Sequence, residues 1–454
     1  MTPTSKTLLL LTMLFALSNG ALADEDILDY YHHALDLPGD SAIDFERLGN
    51  LLNYQTLEEA IVLGEQIIDD NTALQETNPL AYGRLIANLG MILNYGEYYE
   101  NALETLNRAE ALVAQSLPQF SPHLIGILMP KASTLMSLNR TEEAREALRQ
   151  AQHITHRDDG VYSPDQLPMV NQLFEISFQN GNVMDADQQQ FFTLRVSERA
   201  FGRESEALLP TLEKLGRYFA YRAVTSSRFE EPAMRYQQET LFRTSLDLYD
   251  RAIKIIEDNY GPNDLRLVNS LQGVAQARLM QRANSKSEQA LERALFVIES
   301  NPTTDLPDRI EAIIRMGDLY TRTSDDRAGE TYLRAWNLME ENPDYTWLKA
   351  QAFGAPTRLY PRAQSVVYLD RQPRTADGSE LFIDAEYTVR VDGKVGDVKL
   401  LAKNVPNEQV RRLRSHLSQA RFRPRIVNGE IVETANLIIH QTFRVNEALS
   451  PPQQ

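Results

Sequence analysis

Alanine recurs every 42 residues, at Ala60, Ala102, Ala144 and Ala186, and this period restricts the fold more than any other feature of the chain. Three of the four contexts agree: Glu58-Glu59-Ala60, Glu100-Asn101-Ala102 and Glu142-Glu143-Ala144, with Met184-Asp185-Ala186 the exception. A second small residue follows two of them at Ala109 and Ala151, and Ala252 and Ala294 are again 42 apart. Twelve residues before the first four alanines lie Leu48, Gly90, Ala132 and Phe174; the same step reaches Gly216, and Ala275 and Gly317 are one step apart. Self-similarity of this length means one supersecondary unit repeated in an array. Ala102, Leu103, Leu106, Ala109 and Leu112 recur at helical spacing, which gives one apolar stripe. Turn formers fall between the slots, as Asn94-Tyr95-Gly96, Asn139 and Asn180-Gly181-Asn182. The expected unit is therefore a helix–turn–helix pair whose helices approach closely at small residues such as Gly90 and Ala102. One pair cannot bury its stripe alone, so neighbours stack into an α-solenoid. A coiled coil is the rival, but no heptad run persists over several turns.

Asn88-Leu89-Gly90 followed by Ala102 and Ala109 resembles the tetratricopeptide repeat, with Leu-Gly or Leu-Ala in the first helix and alanines in the second. The usual period is about 34 residues, so these are long variants, similar to those of kinesin light chains. Tyr249-Asp250-Arg251-Ala252 followed by Tyr260-Gly261-Pro262 has the same long-repeat character. The resemblance covers residues 41–345. Two copies depart from it. The fifth has its first helix on schedule at Gly216, but its second is about 17 residues late, near Ser245, leaving an insertion around Thr225 to Gln237. The seventh, from Met316-Gly317-Asp318-Leu319-Tyr320 to Arg334-Ala335-Trp336, is one residue short.

After Tyr345 the pattern alternates. Leu381, Ile383, Ala385, Tyr387, Val389 and Val391 predict one face of a strand, with Asp384, Glu386 and Arg390 on the other. Asp392-Gly393 predicts a turn, and Val395, Val398 and Leu400 a returning strand. A helix is expected over Asn407 to Ala420, capped by Asn407, then a turn at Asn428-Gly429 and a strand from Ile431 to Val445. This order resembles the TonB C-terminal domain. The residues carrying the resemblance are Tyr360-Pro361-Arg362-Ala363-Gln364, Tyr387-Thr388-Val389-Arg390-Val391-Asp392-Gly393-Lys394-Val395 and Arg421-Phe422-Arg423-Pro424. It implies a periplasmic module that adds an extended segment of an outer-membrane transporter to an exposed sheet edge, here the edge at Asn436 to Val445. Neither a membrane helix nor a proline-rich spacer accompanies it. The expected fold class is thus mainly α: a signal peptide over 1–23, a tetratricopeptide-like helical solenoid over 24–345, and a small α+β TonB C-terminal-like domain over 355–448.

The leader expectation rests on Lys6, the apolar run Thr7 to Leu17 and the small-x-small site Ala21-Leu22-Ala23. The run is short of the roughly 20 apolar residues that span a bilayer, so cleavage outweighs an uncleaved anchor, and the expected location is the periplasm. The chain contains no cysteine, which excludes disulfides, thiolate sites and a lipid-anchored start. The net charge of −17 is unevenly shared. From Ala355 onward 15 Lys+Arg face 11 Asp+Glu, whereas the remainder carries 31 against 52. The acidic larger part argues against nucleic-acid partners.

No catalytic constellation is present: HExxH, GxSxG, P-loop and GxGxxG are all missing. His153 and His156 with Asp158 and Asp159, and the pair His32-His33, fall short of the three or four convergent ligands that a metal needs. No cofactor, metal or enzymatic activity is expected. Candidate partner-binding residues on the first helices are Arg84, Asn88, Tyr95, Asn171, Arg217 and Tyr221, a polar and aromatic mixture suited to a peptide groove or to packing between repeats. Arg411, Arg412 and Arg414, with Arg421, Arg423 and Arg425, form a basic cluster. That cluster is either a solvated face or a contact for an acidic partner, the solenoid itself included. The expected function is a non-enzymatic scaffold or adaptor that binds proteins or extended peptides through both modules. The rival is a TonB-type component of outer-membrane transport.

Overall fold

The computed structural model describes residues 27–443 apart from 33–34, 36, 38, 54–55, 227–231 and 360–380. The expected leader, His33, the entry motif Tyr360 to Gln364 and the end of the expected last strand lie outside the described residues. The chain divides into two compact units between Arg203 and Glu204.

In the first unit α1 (Asp40–Asn53) packs on α2 (Leu57–Asp70), and after a short α3 (Leu74–Thr77) α4 (Pro79–Tyr95) packs on α5 (Tyr99–Ser116). α6 (Ile125–Ser137) with α7 (Thr141–Asp158), and α8 (Leu167–Gln179) with α9 (Val183–Phe201), form two further hairpins. The second unit repeats the scheme with α10 (Leu209–Ser226) on α11 (Pro232–Tyr260), α12 (Leu267–Met280) on α13 (Asn284–Ser300) and α14 (Leu306–Thr323) on α15 (Arg327–Glu340), followed by α16 (Thr346–Phe353). These are the helix–turn–helix units that the 42-residue period predicts. Ala60, Ala102, Ala144, Ala186 and Ala252 are fully buried. Closeness explains the small residues: a Cβ on Gly90 would stand 2.7 Å from Leu106 Cγ.

In five of the hairpins the turn repeats even where its residue type does not. Glu97, Asn139, Gly181, Arg282 and Ser324 all have left-handed φ, between 58° and 72°. The residue after each returns its N–H five residues back, as Tyr98 N to Leu93 O and Arg140 N to Leu135 O, at 2.9 and 2.8 Å. Asn182 to Ser177, Ala283 to Arg278 and Asp325 to Tyr320 repeat that bond. Such a bond satisfies a helix-terminal carbonyl that no helical residue can reach. The late second helix of the fifth copy also resolves locally. Ser245 Oγ donates to Gly216 O at 2.6 Å, as Ser287 Oγ donates to Ala275 O at 2.8 Å one hairpin later. Ser245 therefore fills the regular slot, and described parts of the insertion extend α10 and α11 instead of forming a loop.

The C-terminal part contains β1 (Thr357–Leu359), β2 (Leu381–Val389), β3 (Val395–Lys403), α17 (Asn407–Gln419), β4 (Arg421–Arg423), β5 (Arg425–Val427), β6 (Glu430–Val432) and β7 (Thr434–Phe443). The main sheet has the order β3-β2-β7, all antiparallel; β1 pairs with β4, and β5 with β6. Val410, Leu413 and Leu417 of α17 pack with Ile383 and Ala385 of β2. Hairpin, helix and returning strand appear in the expected order, with three differences. Asn407 lies inside α17, and Pro406 holds the cap position. The last strand is divided into β6 and β7. A bulge in β2 between Glu386 and Thr388 breaks the alternation, so Thr388 and Val389 are both buried while Val391, beyond the strand, is exposed.

Candidate functional site

In the first unit residues 27–32 lie on the first helices of the second and third hairpins, and Asn88 of α4 holds their main chain at His32. Asn88 is fully buried. Its side-chain oxygen accepts the His32 N–H at 2.9 Å, and its amide donates to the His32 carbonyl at 3.1 Å. Both of these bonds go to main chain, so they place no demand on the residue type at His32. A short 3-10 turn, Ile27–Tyr30, leads into the segment and packs on α4 and α6. Ile27, Tyr31 and Leu37 are buried, and Tyr31 stacks on Phe45 with ring centres 5.9 Å apart. Burial pushes the Tyr31 hydroxyl well above the ordinary tyrosine range, with the Asn88 side chain pulling it back.

The His32 ring needs a hole, and Gly126 of α6 supplies it. A Cβ on Gly126 would stand 2.8 Å from His32 Cε1. Gly126 lies one 42-residue step after Arg84, at a position where the neighbouring hairpin has a long side chain. That gap in the repeat is the sequence signal for this contact. His32 was weighed only as a metal ligand.

The structure brings together some of the expected residues and not others. Arg84, one turn before Asn88, donates to His123 Nδ1 at 2.7 Å. Tyr95 is exposed two turns further along α4, and Asn171 is half-buried on α8. Arg217 and Tyr221 lie on α10 in the second unit. There Glu213 is pushed to a higher pKa by burial, against the hydrogen bond from Ser270 Oγ at 2.7 Å and the charge of Arg217. Burial likewise takes Tyr249, pressed between Gly216 and Gly273, to about 12. His156 Nε2 lies 2.6 Å from Gln166 Oε1, and the His153 ring stands edge-on to Phe120. Among the described residues no group of three or more His, Asp or Glu is placed to share a metal ion.

In the second unit the C-terminal strands dock on the last hairpin. Arg423 of β4 donates through Nε and Nη2 to the two carboxylate oxygens of Asp318 on α14, at 2.9 and 2.8 Å, and through Nη1 to Ala352 O at 3.3 Å. Tyr332 Oη donates to Asp318 Oδ1 at 2.8 Å and lies 2.9 Å from Thr321 Oγ1. Burial works against the Arg423 charge, but Asp318 outweighs it and its pKa rises. Ile426 enters the helical core formed by Ile310, Tyr332 and Phe353. Gly393, at φ 73°, sits so close to Thr321 that a Cβ would lie 2.7 Å from its methyl. Arg411, Arg412 and Arg414 are exposed on α17, and Arg412 pairs with Glu408.

No family model and no curated protein sequence matches the chain. Solved structures similar to it are helical-repeat proteins. The nearly identical TPR-like repeats assigned to a kinesin light chain of Podosopora anserina are 15% identical, covering 50% of this chain and 99% of that one, with a TM-score of 0.39. A tetratricopeptide repeat protein from Parabacteroides merdae is 18% identical over 68% of this chain and 98% of its own, with a TM-score of 0.36. The apo form of the quorum sensor NprR from B. thuringiensis is 10% identical over 67% and 89%, with a TM-score of 0.33. At these scores the repeat architecture rests on the hairpin geometry of the chain itself.

Proposed function

We propose that this chain is a non-enzymatic scaffold that holds protein partners as extended peptides on the first helices of its hairpins. One observation carries the reading: a fully buried Asn88 accepts the His32 N–H and donates to the His32 carbonyl, two main-chain groups of one segment. A buried amide without partners costs about 1–3 kcal/mol, so this position calls for a peptide backbone. The leader residues Lys6 to Ala23 support a periplasmic setting. Among the described residues no helix is long and apolar enough to cross a membrane. A photo-crosslinking residue at exposed Tyr95 tests the reading in cells. Discrete protein adducts that disappear on Asn88→Ala are expected; adducts indifferent to that change would overturn it.

A second reading assigns the C-terminal sheet a TonB-like role. Its support is the hairpin–helix–strand order and the position of β7 at the edge of the described β3-β2-β7 sheet, where Ile438 is exposed. An edge strand offers unpaired backbone groups to an added strand, and an outer-membrane transporter segment is the partner that the resemblance implies. Proline at Ile438 tests it: loss of transporter-segment binding is expected, and unchanged binding would remove the edge from consideration.

A further inference from the structure

We infer that residues 27–32 are a built-in occupant of the Asn88 face, a pseudo-ligand that an incoming peptide of similar chemistry displaces. The inference rests on the protein-binding reading above and adds its regulation. The segment is bound as a foreign peptide would be. Asn88 takes its main chain in both directions at His32. Gly126 leaves a hole that the His32 ring fills. Ile27 and Tyr31 are buried in the core of the first unit, with Tyr31 stacked on Phe45. Within residues 27–32 the regular secondary structure is one 3-10 turn.

The same contacts define the chemistry of the competitor. It is an extended peptide with an apolar residue, then adjacent aromatic rings, the second small enough to rest on Gly126. Because the segment is tethered, it competes at an effective concentration on the order of mM. An external peptide with equal contacts therefore meets an occupied site in the intact chain and an open one when the segment is removed. Two variants of the full chain open the site. One deletes residues 27–38. The other, His32→Pro, removes the N–H that Asn88 accepts and the ring over Gly126 but keeps Tyr31 in the core.

The probe is a fluorescein-labelled peptide of residues 24–38, followed by fluorescence anisotropy, with circular dichroism to show that each chain keeps its helices. The opened chains should bind the peptide at least tenfold tighter than the intact chain, and adding Asn88→Ala to either should remove that gain. Equal binding by intact and opened chains would overturn the inference. So would absence of binding by a folded His32→Pro chain, which would make the segment a fixed part of the first unit. Adduct formation at Tyr95 separates the two ideas. Adducts of equal yield in intact and opened chains leave the scaffold reading standing and reject the pseudo-ligand, whereas adducts indifferent to Asn88→Ala reject the scaffold reading itself.

Discussion

Arg423 and Asp318 stand 105 residues apart in the chain and meet through two nearly parallel hydrogen bonds of 2.9 and 2.8 Å. Their side chains are only 12% and 16% exposed. This pair joins β4 to α14. Of the basic cluster in the sequence, Arg423 makes this helical contact, whereas Arg411, Arg412 and Arg414 are exposed on α17.

Breaking the pair from one side leaves a buried charge. Asp318→Ala should cost about 3–5 kcal/mol, whereas replacing both partners with apolar residues of similar size should cost much less. Both tryptophans of the chain, Trp336 and Trp347, belong to this region. Their fluorescence during urea unfolding reports the second unit selectively. A single loss equal to that of the double replacement would show that the pair is not coupled.

The recurring left-handed turn supplies a stabilising substitution. Glu97 is exposed and has φ 64°, a conformation that glycine adopts without the Cβ clash. Glu97→Gly should raise stability by about 0.5–1 kcal/mol, the relief of the left-handed Cβ clash less the backbone entropy that glycine loses, read as an increase in Tm. A β-branched replacement at the same position should lower it.

Glu213 gives the second unit a pH dependence with a definite sign. Its folded pKa lies above the ordinary 4.5 because burial disfavours the carboxylate. The folded chain therefore binds the proton more tightly than the unfolded chain. Stability falls as pH rises from the unfolded pKa through the folded one. Glu213→Gln keeps an acceptor for Ser270 and should flatten this part of the profile, raising stability at neutral pH. Urea midpoints between pH 4 and 8 check it; an unchanged slope would assign the dependence elsewhere.

The hairpins were readable in the sequence because packing, not residue preference, sets the period. Ala102 and Ala144 are fully buried within the hairpins, so the constraint shows as a residue type. The turns were half readable. The left-handed position is glycine only at Gly181, and Glu97, Arg282 and Ser324 adopt the same geometry at a modest conformational cost that leaves no compositional trace. Of the candidate site, Asn88 was found as a polar residue on a first helix. Its partner was missed because a main-chain contact imposes no residue type on the segment it holds. Gly126 was a missing side chain, and an absence carries a signal only when aligned with Arg84. The docking of the C-terminal strands depended on contacts between distant residues such as Ile426 and Phe353, which no local pattern encodes.

The most direct test of the account is amide hydrogen exchange in the intact chain at His32, compared between wild type and Asn88→Ala. Losing the side-chain acceptor should speed exchange at His32 by roughly 10- to 100-fold, the equivalent of about 1.4–2.8 kcal/mol of local opening. Amides within α4 and α6 should keep their protection. Exchange at His32 unaltered by Asn88→Ala, with both helices intact, would contradict the claim that this face grips a peptide backbone.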